Sequence, residues 1–173
     1  LLSIIYFISI LSPIYSYEVW LNFPQLSYIF EEFDLRTRKQ VLKYSINQKK
    51  EIVPTVPFLD TKSNLFPLSG ISNKYTLFCN ETGKYIYYTS DKHGFRNKND
   101  NYLKKIDAIL IGDSFAHGAC VEKDISYHLN KKVNLINLGY QGNGPLKMYA
   151  SLKEYGINLK PNYIIWMYSA DND

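Results

Sequence analysis

Three unbroken apolar runs mark the C-terminal part of the chain, and each ends in polar or glycine-rich residues. The runs are "IDAILIG" at 106–112, "VNLINLG" at 133–139 and "NYIIWMYS" at 162–169. Two segments of helical character separate them, "EKDISYHLNKK" and "PLKMYASLKEYGIN". Continuous rather than alternating hydrophobicity is typical of strands that are covered on both faces. The pattern therefore predicts an α/β fold with a parallel sheet of βαβ units over 106–173.

The preceding residues, 67–105, are predicted to form a β-hairpin and a loop that lead into this core. Two runs rich in β-forming residues, "YTLFCN" and "KYIYYTS", are separated by "ETG", so we expect a hairpin around Gly83. The polar, turn-rich stretch from Ser90 to Asp100 predicts a surface loop.

Residues 18–66 are predicted to be a helical linker. Within "FDLRTRKQVLKYSINQKK", Asp34 is placed as an N-cap ahead of apolar positions with helical spacing. Pro54, Pro57 and Pro67 then interrupt regular structure.

The chain opens on an apolar run, "LLSIIYFISILSPIY", with no charge until Glu18. A bilayer span needs about 20 apolar residues, and the run is shorter and lacks an initiating Met. We therefore interpret 1–17 as the end of a longer membrane anchor, with a signal region and a buried N-terminal helix as the alternatives.

Cys79 and Cys120 are the only cysteines in the sequence. In an exported chain they can pair, and closing a loop of about 40 residues would stabilise the fold by about 3 to 4 kcal/mol. Two free buried thiols are the alternative.

The net charge of +4 arises from 20 basic and 16 acidic residues that are not concentrated in one block. Pairs such as Lys49–Lys50 are typical of solvated faces, so no nucleic-acid partner is predicted. The sequence has no metal-ligand spacing and no phosphate-cradling glycine loop, and we therefore predict neither a metal nor another cofactor.

The residues that follow the three apolar runs carry the candidate chemistry. The runs end in "GDS" at 112–114, "NLGYQGNG" at 137–144 and "SADND" at 169–173. Right-handed crossovers bring the carboxyl ends of parallel strands to one rim. A serine hydroxyl would meet three donors there, the N–H groups of Ser114 and Gly142 and the Asn172 amide. These are the groups needed to attack an acyl carbonyl and to stabilise the oxyanion that forms.

The segments "GDSF", "NLGYQGNGP" and "DND" resemble the first three blocks of the SGNH (GDSL-type) hydrolase family. The resemblance implies a flavodoxin-like three-layer α/β/α fold and metal-free esterase, lipase or carbohydrate deacetylase activity. It assigns the nucleophile to Ser114 and the oxyanion hole to Gly142 and Asn172. The segment "YTSDKHGFRN" is similar to one in membrane-tethered bacterial members, which implies an anchored protein facing the periplasm or the cell surface.

The chain departs from the family pattern in two places. Ala170 stands where the third block usually begins with Gly, which leaves the role of Asn172 intact and puts substrate preference in doubt. The family's fourth block supplies Asp-x-x-His, which does not occur before Asp173. We therefore expect a C-terminally truncated fragment whose catalytic Asp and His lie outside it, since a serine without its base is a weak nucleophile.

Three further residues are candidates for the substrate pocket, Asp113, His117 and Asn143. His117 lies three residues after Ser114, and an i+3 neighbour on a helix points along its surface, so a place in the pocket wall is favoured over a catalytic base. Asp113 is expected to brace the turn through backbone hydrogen bonds. Structural or surface roles are expected for the remaining histidines, His93 and His128.

The sequence thus predicts a serine esterase or deacylase acting on acyl esters, with O-acetylated surface polysaccharide as the expected substrate class. An O-acyltransferase would use the same serine and donors, with a sugar hydroxyl in place of water. A non-catalytic glycan-binding or assembly module would retain the rim without the base.

Overall fold

A computed structural model describes residues 33–48, 50–55 and 67–168. The predicted anchor at 1–17, part of the predicted linker and the oxyanion candidate Asn172 lie outside these ranges. Among the described residues, no helix has both the length and the apolar character needed to cross a membrane.

The chain separates into two compact units. The first contains Leu1–Leu35 and Thr82–Lys84, and the second contains Arg36–Glu81 and Tyr85–Asp173. In the described part of the first unit, the Asp34 N–H donates to the Gly83 carbonyl at 2.7 Å. All helices and strands described below belong to the second unit.

Helix α1 (Arg38–Asn47) begins at a capping box. Thr37 Oγ1 accepts the Gln40 N–H at 3.3 Å, and the Gln40 side chain accepts the Thr37 N–H at 2.7 Å. The predicted N-cap, Asp34, is therefore wrong, because the reciprocal pair of Thr and Gln satisfies two backbone donors at once.

A mixed three-stranded sheet follows α1. Strand β1 (Ile52–Pro54) pairs parallel with β2 (Tyr75–Leu77), and β2 pairs antiparallel with β3 (Tyr87–Thr89). The antiparallel pair confirms the predicted hairpin. Val41 of α1 packs in one buried cluster with Leu77. The described part of the predicted linker therefore contributes a helix and a strand to the folded body.

The segment from Ser90 to Asp100 differs from the predicted surface loop, because Asp91 and Phe95 within it are buried. The Asp91 carboxylate accepts four hydrogen bonds, from the backbone N–H groups of His93 and Phe95 and the side chains of Asn97 and Tyr102. A polar turn can be buried when its charged group is satisfied in this way. A 3₁₀ turn, Asn99–Leu103, follows.

The C-terminal part forms the predicted parallel sheet. Strands β4 (Ala108–Ile111), β5 (Leu135–Asn137) and β6 (Tyr163–Trp166) pair in the order β5-β4-β6. Each strand coincides with one apolar run of the sequence, so the α/β class is confirmed.

Short helices occupy the crossovers between these strands. Helix α2 (Ser114–His117) follows β4, and α3 (Ile125–Leu129) is capped by Asp124, whose Oδ1 accepts the Tyr127 N–H at 2.7 Å. Helix α4 (Pro145–Ser151) opens with proline, as predicted, and continues into a π-helical and a 3₁₀ turn.

The two faces of the sheet carry separate apolar clusters. Ile109 and Ile111 pack with Met148 of α4, whereas Leu110 packs with Ala116 of α2. Burying one such aliphatic side chain contributes about 2 kcal/mol. Strands β4 and β5 are buried throughout, as predicted, but β6 is exposed along its whole length.

Candidate active site

Ser114 is the first residue of α2, directly after β4 and its Gly-Asp turn. Asp113 caps the helix, since its Oδ1 accepts the Phe115 N–H at 2.9 Å and its carbonyl accepts the His117 N–H at 3.0 Å. Asp113 is buried and therefore braces the turn rather than lining an open pocket. No hydrogen bond involves the Ser114 N–H or hydroxyl within the described part of the chain, so both are available to a substrate.

Gly142 occupies the third position of a β-turn that follows β5. The Asn143 N–H donates to the Tyr140 carbonyl at 3.2 Å, and Gly142 has a φ of 76° while Gln141 keeps an ordinary negative φ. This is the type II arrangement, which favours glycine at that position. Within the described residues the Gly142 N–H has no partner, and a Cβ there would meet nothing within 4 Å. An unengaged donor in open space is what an oxyanion hole requires.

The carboxyl ends of the three parallel strands meet at one rim. The Tyr140 N–H donates to the Gly112 carbonyl at 3.2 Å, and the Met167 N–H donates to the Ile111 carbonyl at 2.9 Å. A Cβ on Gly112 would lie 3.0 Å from the Met167 carbonyl oxygen, so glycine permits this approach. The structure therefore brings the turns after β4 and β5 beside the end of β6, whereas Asn172 lies beyond the described residues.

His117 is fully buried, and both of its ring nitrogens are engaged. Nδ1 accepts the Gln141 N–H at 3.2 Å, and Nε2 lies 3.2 Å from the Tyr88 hydroxyl. Burial, with a smaller effect of the Arg96 guanidinium, lowers the pKa of His117 to about 3. The prediction that His117 lines the pocket wall is therefore wrong, because no part of its ring is open to a substrate.

Stability should depend on pH through His117. A histidine in an unfolded chain titrates near pH 6.5 and this buried ring near 3, so between these values the unfolded chain binds the extra proton. The folded state should thus lose about 2 kcal/mol through this group as the pH falls from 7 to 5. Urea unfolding of the wild type and of His117→Asn at both pH values measures the difference. An identical pH dependence of the two proteins would contradict this expectation.

Arg96 holds the segment that follows α2. Its guanidinium donates at 2.9–3.1 Å to three backbone carbonyls, those of Gly118, Val121 and Glu122. Arg96 Nε also lies 3.6 Å from Asp124 Oδ2, and both side chains are largely buried. Charge-assisted hydrogen bonds of this kind are stronger than neutral ones. Arg96 therefore fixes the segment that leads out of α2.

Two asparagines join the polar segment around Arg96 to β5. Asn97 Nδ2 donates to the Asn137 carbonyl at 2.9 Å, and Asn97 Oδ1 accepts the Asn137 N–H at 2.8 Å. The Asn137 side chain donates to the Ala116 carbonyl at 2.6 Å and accepts the Gly139 N–H at 2.8 Å. Asn137 thus ties α2 to the turn after β5. The sequence prediction missed this role, although an asparagine inside an apolar run signals a satisfied buried polar group.

Cys79 and Cys120 form a disulfide, with their Cα atoms 5.3 Å apart. From the sequence alone, a disulfide and two free thiols were both possible. The bond joins the residues after β2 to the residues after α2, and it therefore tethers the segment that follows α2 to the hairpin.

A cavity of about 400 Å³ opens beside Ser114. Its lining combines apolar side chains, Phe115, Val121 and Ile125, with polar ones, Glu81, Lys123 and His128. The volume falls within the range of small-molecule sites. His128 lines this cavity from α3, but no hydrogen bond joins it to Ser114 within the described residues.

Neither Asn143 nor His93 presents its side chain at the open rim. Asn143, the last residue of the turn, is buried, and its Nδ2 has no hydrogen-bond partner among the described residues. The His93 ring packs against Tyr102 and Tyr155, with centroids 5.4 Å and 5.1 Å away. This is a structural role of the kind predicted.

If the rim hydrolyses esters, as the sequence resemblance implies, replacing Gly142 with Ala should lower the rate by about 10²-fold, the effect of losing one oxyanion donor. Alanine disfavours a positive φ by about 1 kcal/mol, so the turn should rotate and carry the 142 N–H away. Gly144→Ala is the matched control, because Gly144 has a φ of −92° and equally open surroundings. Steady-state hydrolysis of 4-nitrophenyl acetate measures both variants, and equal losses would contradict the specific role of Gly142.

Comparison of the chain with protein-family models, with curated protein sequences and with solved structures finds no match.

Proposed function

We propose that the protein is a serine esterase or deacylase of the SGNH type, with a flavodoxin-like core. The observation that carries the proposal is the rim, where the Ser114 hydroxyl and N–H and the Gly142 N–H are unengaged within the described residues. The strand order β5-β4-β6 supports it, since it corresponds to the 2-1-3 start of a flavodoxin-like sheet. Helical residues packed on both faces of that sheet give further support.

The reaction proceeds through an acyl-enzyme. Ser114 Oγ attacks the ester carbonyl while a general base takes its proton, and the N–H groups of Ser114 and Gly142 stabilise the oxyanion together with the Asn172 amide. Collapse of the tetrahedral intermediate expels the alcohol, which receives the proton. Water then attacks the acyl-enzyme and releases the carboxylic acid and free Ser114.

The general base is not His117. Its pKa of about 3 would leave little driving force for accepting a proton from serine, and its nitrogens already contact Gln141 and Tyr88. The resemblance assigns the base to the histidine of a fourth block, with its aspartate, which this sequence does not contain. The proposal is therefore to be tested on the complete product of the gene.

The substrate class we propose is an O-acetylated glycan at the cell surface, reached by a membrane-anchored protein. The cavity beside Ser114, of about 400 Å³, has room for an acetyl group together with part of its alcohol.

A glycan-binding module without chemistry is the second candidate. It is favoured by one observation: no hydrogen bond joins Ser114 to a histidine within the described residues, although all three histidines of the sequence lie there. Such a module would bind glycan and leave a serine-reactive phosphonate unreacted.

One experiment separates these functions. The full-length protein is incubated with an acetyl ester, with and without a glycan acceptor, and the products are identified by mass spectrometry. Free acetate in both incubations supports the esterase, and acetylated glycan formed only with the acceptor indicates acyl transfer. Glycan binding without any acetyl product would overturn the enzymatic proposal.

A further inference from the structure

A hydrogen-bonded chain begins at the turn that carries Gly142. The Gln141 N–H can only donate, so His117 Nδ1, 3.2 Å away, must accept and carries no proton. The neutral ring therefore bears its proton on Nε2. This proton is donated to the Tyr88 hydroxyl at 3.2 Å.

Two tyrosine hydroxyls lie beyond the imidazole. The Tyr88 hydroxyl contacts His117 Nε2, and the Tyr140 hydroxyl donates to the Thr55 carbonyl. Burial raises the pKa of Tyr140 to about 12 and raises that of Tyr88 as well, so both hydroxyls keep their protons at neutral pH. The Gln141 N–H therefore selects one tautomer of His117, with the Nε2 proton facing the Tyr88 hydroxyl.

The same imidazole also packs on the turn. The rings of His117 and Tyr140 are stacked, with centroids 4.6 Å apart and planes 22° from parallel. Phe95 meets the Tyr140 ring edge-on at 6.1 Å. His117 thus holds both the side chain of the first turn residue and the N–H of the second.

We propose that His117 is a positioning residue that holds the turn carrying the Gly142 N–H, an inference that rests on the proposed esterase function. It acts at the start of the turn, where its Nδ1 accepts the Gln141 N–H and its ring stacks on Tyr140. Anchoring these two residues fixes the peptide plane that enters the turn. The turn is therefore in place before the substrate arrives, as electrostatic preorganisation requires.

Two variants of similar kind test this role. Asn carries an acceptor oxygen at the same bond distance from the backbone as Nδ1, whereas Gln places its polar atoms one bond further, toward Tyr88. His117→Asn should keep kcat for 4-nitrophenyl acetate within about threefold, and His117→Gln should lower kcat on the order of 10²-fold with little change in KM. Hydrogen exchange at the Gln141 amide, followed by NMR, should be slow in the wild type and in His117→Asn and at least about tenfold faster in His117→Gln.

Two results would overturn the proposal. The first is an unchanged kcat in His117→Gln. The second is an equal loss of kcat in folded His117→Asn and folded His117→Gln, which would indicate that only the packing of the His117 ring matters. If the wild type hydrolyses no ester, the proposed function fails, while Gln141 exchange still decides whether His117 holds the turn. If neither variant folds, ¹⁵N NMR of the wild-type ring decides. A proton on Nε2 alone from pH 5 to 8 supports the chain, and a proton on Nδ1 refutes it.

Discussion

Ser114→Ala should abolish ester hydrolysis by the full-length protein, with a fall in kcat of about 10⁴-fold or more. The magnitude follows from the loss of the nucleophile, after which only binding and the oxyanion donors accelerate the reaction. Ser114 opens α2 at the rim, and its side chain takes part in no hydrogen bond within the described residues. Removing its hydroxyl should therefore leave the fold intact. Initial rates with 4-nitrophenyl acetate, together with labelling by a serine-reactive phosphonate, measure the effect.

Ser72→Ala is the matched control for this experiment. Ser72 is exposed and donates to the Lys92 carbonyl at 2.7 Å, away from the rim. Its loss should change neither the rate nor the labelling. Wild-type activity in Ser114→Ala, or phosphonate labelling that persists in it, would show that another residue is the nucleophile.

Removing the disulfide should have the largest effect on stability. The bond closes a loop between residues 41 positions apart, and the loss of chain entropy in the unfolded state corresponds to about 4 kcal/mol. We expect the Cys79→Ser, Cys120→Ser double variant to unfold at a much lower urea concentration than the oxidised wild type. Equilibrium unfolding followed by circular dichroism gives the two free energies.

Reduction provides the control for the cysteine variants. A thiol reductant should lower the unfolding midpoint of the wild type to nearly that of the double variant and leave the double variant unchanged. A wild-type midpoint that does not respond to reductant would show that the bond contributes nothing to the measured stability.

The sheet could be predicted because its signal is local. Each strand from β4 to β6 lies within one apolar run, and the residues that end those runs place Ser114 and Gly142 at the rim. The cap at Thr37 could also have been found, since Gln40 stands three residues later and completes a capping box. Asp34 is also a cap-forming residue, but Thr37 stands three positions after it, where a capping box needs Glu or Gln.

The buried polar contacts could not be predicted because their partners are distant in sequence. Asn97 and Asn137 are separated by 40 positions, and a polar residue in a turn-rich segment is more often exposed. The same reason applies to His117. The spacing between Ser114 and His117 predicts only that they lie one helical turn apart. It does not predict the contacts of the His117 ring, because Tyr88 and Tyr140 lie on other elements.

Strand β6 has a consequence for handling the protein. Residues 163–168 spell "YIIWMY", a window without charge or proline, and β6 is an edge strand within the described part of the chain. Exposed edges with high β-propensity recruit other strands and nucleate aggregates. During synthesis this segment would be prone to aggregation from the moment it leaves the ribosome until another part of the protein or a chaperone covers it. Recombinant yield should therefore depend on chaperone supply and on the point at which an expressed fragment is made to end.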